Sequence, residues 1–153
     1  VQPQRPRGGD TCPPVAYEAG YRTDTIGRHA GGEFYAAVHG ASRDVDDPAE
    51  SFGWYAYVHR FDHDGRHEAS TIRRIALSRY LTDPDAADRI LAALLDELDA
   101  PRFGDIAIRP FRLTYDGVVF GLIDESDPDR GGWAELYPDR LGFNPPWDGT
   151  YST

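Results

Sequence analysis

Residues 52–61, FGWYAYVHRF, leave neither face of a β-strand simply polar. Alternation along a strand sends Trp54, Ala56 and Val58 one way and Tyr55, Tyr57, His59 and Phe61 the other. Aromatic and β-branched content of this kind is typical of a strand that is well covered. Residues 33–40 divide in the same way, with Phe34, Ala36 and Val38 in one set and Tyr35 and His39 in the other. If the two strands pair, Phe34, Ala36, Val38, Trp54, Ala56 and Val58 form the natural seat for a helix. The opposite set carries rings with polar tips, which suit a partly dry wall that must still form hydrogen bonds. Such a wall lines a ligand cleft or an interface, or it forms a second small core beneath another stretch of chain.

The helix is signalled by Thr82-Asp83-Pro84-Asp85, with a capping side chain, a proline near the first helical position and acids at the positive dipole end. Ala87, Ile90, Leu91, Leu94 and Leu98 then recur at spacings of three and four before Pro101 closes the segment. Ahead of it, Ala30-Gly31-Gly32 suits a hairpin link, residues 42–51 are a polar connection, and Asp62 to Gly65 (DHDG) turns the chain into a return strand at residues 66–75. Behind it, residues 105–115 and 118–125 straddle Asp116-Gly117, a tight-turn dipeptide between β-rich runs. The order β-β-β-β-α-β-β with hairpin links predicts an α+β fold, an antiparallel sheet of about six strands covered by one main helix.

Residues 131–153 (GGWAELYPDRLGFNPPWDGTYST) crowd Trp133, Tyr137, Phe143, Trp147 and Tyr151 among glycine, proline and aspartate. Pro138, Pro145 and Pro146 cannot donate ladder or helix hydrogen bonds, so the segment is expected to be largely irregular. Rings that could each remove about 150 to 250 Å² from water still need a receiver. The expectation is a C-terminal flap across the Tyr/His face. Residues 1–20, with four prolines and no apolar periodicity, are expected to be a flexible leader, and residues 21–153 a single α+β domain.

A net charge of -10 disfavours direct contact with nucleic acid and attraction to anionic lipid, and would draw a basic protein partner. No apolar run approaches the about 20 residues that span a bilayer. The single Cys12 excludes an internal disulfide and no secretory leader pattern precedes it, so the expected compartment is the cytoplasm. All 16 basic residues are arginine. That bias resembles the composition of GC-rich actinobacterial proteomes.

Residues 59–67 (HRFDHDGRH) combine imidazoles and carboxylates, yet strand register and not helical spacing decides which of them share a face. Without a metal-ligand motif they read as exposed turn residues, and neither a metal nor a cofactor is expected. Hairpin pairing could bring Arg109 and Glu125 to one rim. Among the tail acids, Glu135 and Asp148 are the candidates for burial that could make a carboxyl group an acid or base, although Asp148-Gly149 also reads as a turn. The serines and Cys12 lack a nucleophile-elbow context, and Gly31-Gly32 and Gly131-Gly132 lack a phosphate-loop or dinucleotide pattern.

Residues 103–125 (FGDIAIRPFRLTYDGVVFGLIDE) and 133–149 (WAELYPDRLGFNPPWDG) resemble small actinobacterial proteins labelled formate hydrogenlyase regulatory proteins. The similarity extends more weakly to residues 25–28 and 54–66 and covers about two thirds of the chain. It implies a regulator that acts through another protein, and it brings no catalytic motif. The expected function is thus a non-catalytic binding or regulatory protein recognising a protein or small ligand. Its expected contacts are Tyr35, His39, Tyr55, Tyr57, His59, Arg109, Glu125, Trp133, Glu135, Tyr137, Trp147 and Asp148. Two alternatives stand beside it: a small cofactor-independent enzyme using Tyr, His or carboxylate acid-base chemistry in an aromatic cleft, and an acidic immunity-type protein that neutralises a basic partner.

Overall fold

The computed structural model describes residues 12–153. In chain order the elements are β1 (Pro14–Val15), β2 (Ile26–His29), β3 (Gly32–Ser42), β4 (Phe52–Phe61), β5 (His67–Ala76), α1 (Pro84–Leu95), β6 (Arg102–Phe103), β7 (Ile106–Ala107), β8 (Phe111–Tyr115), β9 (Val118–Asp124), β10 (Ala134–Tyr137) and β11 (Leu141–Phe143). The fold is α+β with antiparallel sheets and one helix. Its strands divide into two main sheets, however, and not into one sheet of six. One sheet has the order β5-β4-β3-β2-β6, the other β11-β10-β9-β8, and β1 pairs with β7 beside them.

The hairpin signals correspond to chain reversals. Ala30 and Gly31 separate β2 from β3, and Asp116 (φ 54°) with Gly117 (φ 77°) separates β8 from β9. Positive φ at both central residues is the conformation whose twist matches a two-residue hairpin. The Asp83 side chain caps α1 by accepting from the Ala86 amide at 3.0 Å, with Pro84 opening the helix. Ala87, Leu94 and Leu98 are buried, and the Leu94 and Leu98 side chains join Phe34, Ala36, Ala56 and Val58 in a helix-side core. That is the face and the helix stripe expected from the alternation.

The opposite face meets the second sheet. Tyr35, Tyr55, Tyr57 and Phe61 share a core with Phe120, Leu122, Leu136, Leu141 and Phe143, giving helix, sheet and sheet in three layers. The tail thus covers the Tyr/His face as expected, but through strands. Residues 134–137 and 141–143 hold enough alternation to pair, with Leu136 opposite Leu122 on one side and opposite Leu141 on the other. Proline forbids a ladder only at its own amide, and Pro138 falls just past the end of β10. The leader expected over residues 1–20 lies outside the described residues up to residue 11. Beyond that it is docked: β1 pairs with β7 and Val15 is fully buried.

Candidate functional site

The Tyr/His face is an interior and not a cleft. Tyr35, Tyr55, Tyr57 and His59 are all 0% exposed. The Phe120 ring stands edge-on to Tyr57 at 5.2 Å and to Tyr55 at 5.9 Å. These four side chains are packed against the second sheet and line no open cleft. The phenol tips are satisfied locally, whereas His59 Nε2 is buried without a hydrogen-bond partner. Asp139, in the turn between β10 and β11 and only 3% exposed, accepts from Tyr35 Oη at 2.9 Å and from Tyr57 Oη at 2.5 Å. Burial, and then the neighbouring Asp139 carboxylate, pushes both phenols well above their ordinary pKa.

Arg22 extends this network. Its Nη2 donates to the Asp139 carbonyl at 2.5 Å and meets His39 Nε2 at 3.1 Å. A guanidinium only donates, so His39 Nε2 must accept, and the ring proton on Nδ1 is given to the Gly40 carbonyl at 2.7 Å. Arg22 and His39 line a cleft of 280 Å³ with Asp24, Asp88 and Asp139. Tyr55 belongs to a separate junction. Its hydroxyl donates to Asp116 at 2.8 Å, and Arg43 reaches the same carboxylate at 2.9 Å, fastening the β8–β9 turn to the five-stranded sheet. Burial and this carboxylate raise the Tyr55 phenol to about 12.

Two of the three histidines in residues 59–67 do converge. A register shift after Arg60 lets His67 lie opposite Phe61 and Ser70 opposite His59, so residues three apart on β5 share one face. Ser70 Oγ lies 2.6 Å from His59 Nδ1 and 2.7 Å from His67 Nε2. The hydroxyl has one proton, so at most one of the two imidazoles accepts from it and at least one donates to it. The His67 ring stacks on Phe111 at 4.5 Å, and burial drives His59 down to about 3. Among the described residues no group of three or more His, Cys, Asp or Glu is placed to hold a metal.

Four of the expected contacts meet instead on the outer face of the four-stranded sheet. Trp133, Glu135 and Tyr137 alternate outward along β10, while Ala134 and Leu136 point into the core. Trp133 Nε1 donates to Glu135 at 3.2 Å, Arg140 Nε pairs with the other Glu135 oxygen, and the Tyr137 hydroxyl donates to Glu125. Arg140 also lies 4.9 Å over the Tyr137 ring. Trp133 is half-buried because it lies against Gly142, where a Cβ would come within 2.0 Å of the indole. Glu125, Arg130, Trp133, Glu135 and Arg140 surround a cleft of 470 Å³. Glu135 is the buried tail acid that the aromatic surroundings suggested, at 8% exposure. Burial and the Glu125 hydrogen bond raise the Tyr137 phenol to about 12.

The remaining candidates have structural tasks. Arg109 Nε donates to the Asp64 carbonyl at 3.0 Å and steadies the β4–β5 turn. Asp148 closes a turn by accepting from Thr150 Oγ1 at 2.6 Å, and Trp147 packs on the margin of the inter-sheet core. Sequence reasoning missed Asp139, Arg22, Asp116 and Arg140. Each lies in or beside a turn, where aspartate and arginine read as solvated; the pairing of distant strands brings partners to Asp139, Arg22 and Asp116, and the β10–β11 hairpin brings Glu135 to Arg140. No helix among the described residues is long and apolar enough to cross a membrane. Compared with family models, curated proteins and solved structures, the chain finds no match in any of the three.

Proposed function

We propose that this chain is a cytoplasmic, non-catalytic binding or regulatory protein whose partner is a basic protein. The contact surface is the outer face of the four-stranded sheet. The observation that carries this reading is the ordered set of Trp133, Glu135, Tyr137 and Arg140 on an accessible face, beside a 470 Å³ cleft, while the inner Tyr/His face is filled. Half-exposed Trp and Tyr held in place by hydrogen bonds supply contact area at little cost in side-chain entropy, the property that enriches them at interface hot spots.

Charge selects the partner. Arg140 is paired with Glu135 and Arg130 with Asp127, and Glu125 and Asp124 stand exposed beside them. With a net charge of -10 behind it, the surface steers cations inward. The resemblance to formate hydrogenlyase regulatory proteins supports the same class, a regulator acting through another protein. Neutralisation of a basic partner, as in immunity proteins, would use this same face.

Immobilised full-length protein tests the reading when exposed to lysate at low and high salt beside Trp133→Ala and Arg89→Ser forms. A basic protein retained at low salt, released at high salt, lost with Trp133→Ala and kept with Arg89→Ser is the expected result. Equal capture by the wild type and Trp133→Ala, or retention indifferent to salt, overturns it.

A further inference from the structure

We propose that the half of β3 left uncovered by β2 takes an extended, basic peptide segment of a partner protein as an added strand. β2 pairs with β3 only over Gly32 to Tyr35, and one further bond, from the Ala36 amide to the Thr25 carbonyl at 3.1 Å, ends that ladder. Successive residues of an antiparallel strand turn their backbone groups to opposite edges. The Ala36 bond therefore shows that the even-numbered residues of β3 point away from β4, and the bond from the Asp44 amide to the Gly117 carbonyl at 2.8 Å keeps the same parity. Between those two bonds, the amides of Val38, Gly40 and Ser42 and the carbonyls of Val38 and Ser42 have no hydrogen-bond partner among the described residues. The Gly40 carbonyl accepts from the neighbouring His39 ring.

This edge opens on a cleft of 570 Å³, lined by Gly40, Ser42 and Asp44 from the five-stranded sheet and by Val119, Tyr137 and Pro138 from the other. β10 leaves β9 after Gly121, and the bond from the Glu125 amide to the Trp133 carbonyl shows that odd-numbered residues of β9 face β10. Val119 shares that parity, so its amide and carbonyl also turn to the uncovered side and have no partner among the described residues. Unpaired main-chain donors and acceptors on both walls match a peptide backbone, which carries one of each at nearly every residue. Charge selects the segment. Arg43 and Arg140 at this cleft are answered by Asp116 and Glu135, whereas Asp44 has no ion pair among the described residues. Residues 37–39 of the same strand line the 280 Å³ cleft, where Arg22 stands among Asp24, Asp88 and Asp139. With a net charge of -10 around it, the edge favours a strand carrying arginine or lysine. Trp133 does not line this cleft, so the inference stands apart from the outer-face contact.

The experiment titrates the full-length protein with a strand-forming basic peptide, acetyl-VRVTVRV-amide, followed by fluorescence anisotropy of a labelled form and by amide hydrogen exchange in NMR spectra. The references are its acidic counterpart, acetyl-VEVTVEV-amide, and the basic peptide N-methylated at every amide, which keeps the charges and cannot enter a ladder. The basic peptide binds saturably, both references bind at least about tenfold more weakly, and exchange of the Gly40 and Ser42 amides slows in the complex. Ser42 lends no backbone bond to β4, so Ser42→Pro leaves the β3–β4 ladder whole while removing a donor from the open edge, and it weakens binding about tenfold. Ser42→Ala, which keeps the amide, and Trp133→Ala, which alters the outer face, bind as the wild type does. Absence of saturable binding by the basic peptide overturns the proposal, as does equal binding of either reference. Unchanged exchange at Gly40 and Ser42 overturns it in the wild type alone, whether or not Ser42→Pro folds.

Discussion

Asp139 gathers into one buried carboxylate the hydroxyls of Tyr35 and Tyr57, so the second core depends on a single anion. A carboxylate withdrawn from water persists only where other donors replace the water. Tyr57→Phe keeps the ring and removes one donor, and equilibrium urea unfolding should show a loss of about 1.5 to 3 kcal/mol, the range for a hydrogen bond to a charged group. Adding Tyr35→Phe should cost more than the sum of the two single changes, because the carboxylate then lacks both phenols. His59 makes the same interior sensitive to acid. Its folded pKa is lowered by burial to about 3 from an ordinary 6.5, so below pH 6.5 the unfolded chain takes a proton that the folded chain refuses. Its contribution is complete above 6.5 and falls away toward pH 3, at about 1.4 kcal/mol per pH unit. His67, also lowered by burial, acts in the same direction. Urea unfolding of His59→Leu between about pH 7 and about pH 5 should therefore show a shallower fall in stability than the wild type.

The strand β10 separates two tasks by alternation, and mutation can read them apart. Leu136 is fully buried between the sheets, and Leu136→Ala should cost about 3 kcal/mol, within the range for a core leucine. Trp133 lies half-buried on the opposite face, so Trp133→Ala should cost about 1 kcal/mol by the same unfolding measurement. A larger loss for Trp133 would place the indole in the core. What could be read in the sequence follows from the same periodicity. The Ala87 to Leu98 stripe, the two faces of residues 33–40 and 52–61, and the Asp116-Gly117 turn are local signals, and the structure keeps all of them. The short strands of the tail were not legible. Four and three residues give too brief an alternation to stand out among prolines, and pairing with β9 supplies what local propensity does not. The outward set of Trp133, Glu135 and Tyr137 was recognised by residue type, but its direction depends on register, which a single chain does not display.

On the scale of the whole molecule, the central five-stranded sheet is held from both sides, and the two covers are unequal. The helix side offers a core of Phe34, Ala36, Ala56, Val58, Leu94 and Leu98. The other side joins three buried tyrosines, Phe61 and the inner row of β8 to β11, with Tyr55 and Arg43 both fixed on Asp116. Within that cover, residues 131–153 provide Ala134, Leu136, Leu141, Phe143 and the Asp139 carboxylate. A chain ending at residue 130 would expose Tyr35 and Tyr57 to water and strip their hydroxyls of an acceptor, while leaving β9 with an open edge. It should lose its cooperative thermal transition and bind a hydrophobic dye, as a chain with secondary structure but no fixed packing does. A synthetic peptide of residues 131–153, added in trans, should restore the transition and suppress the dye signal, because its inner side chains re-form the second core. Cooperative melting by the shortened chain alone would mean that the helix-side core suffices, and the tail strands would then be a removable cover.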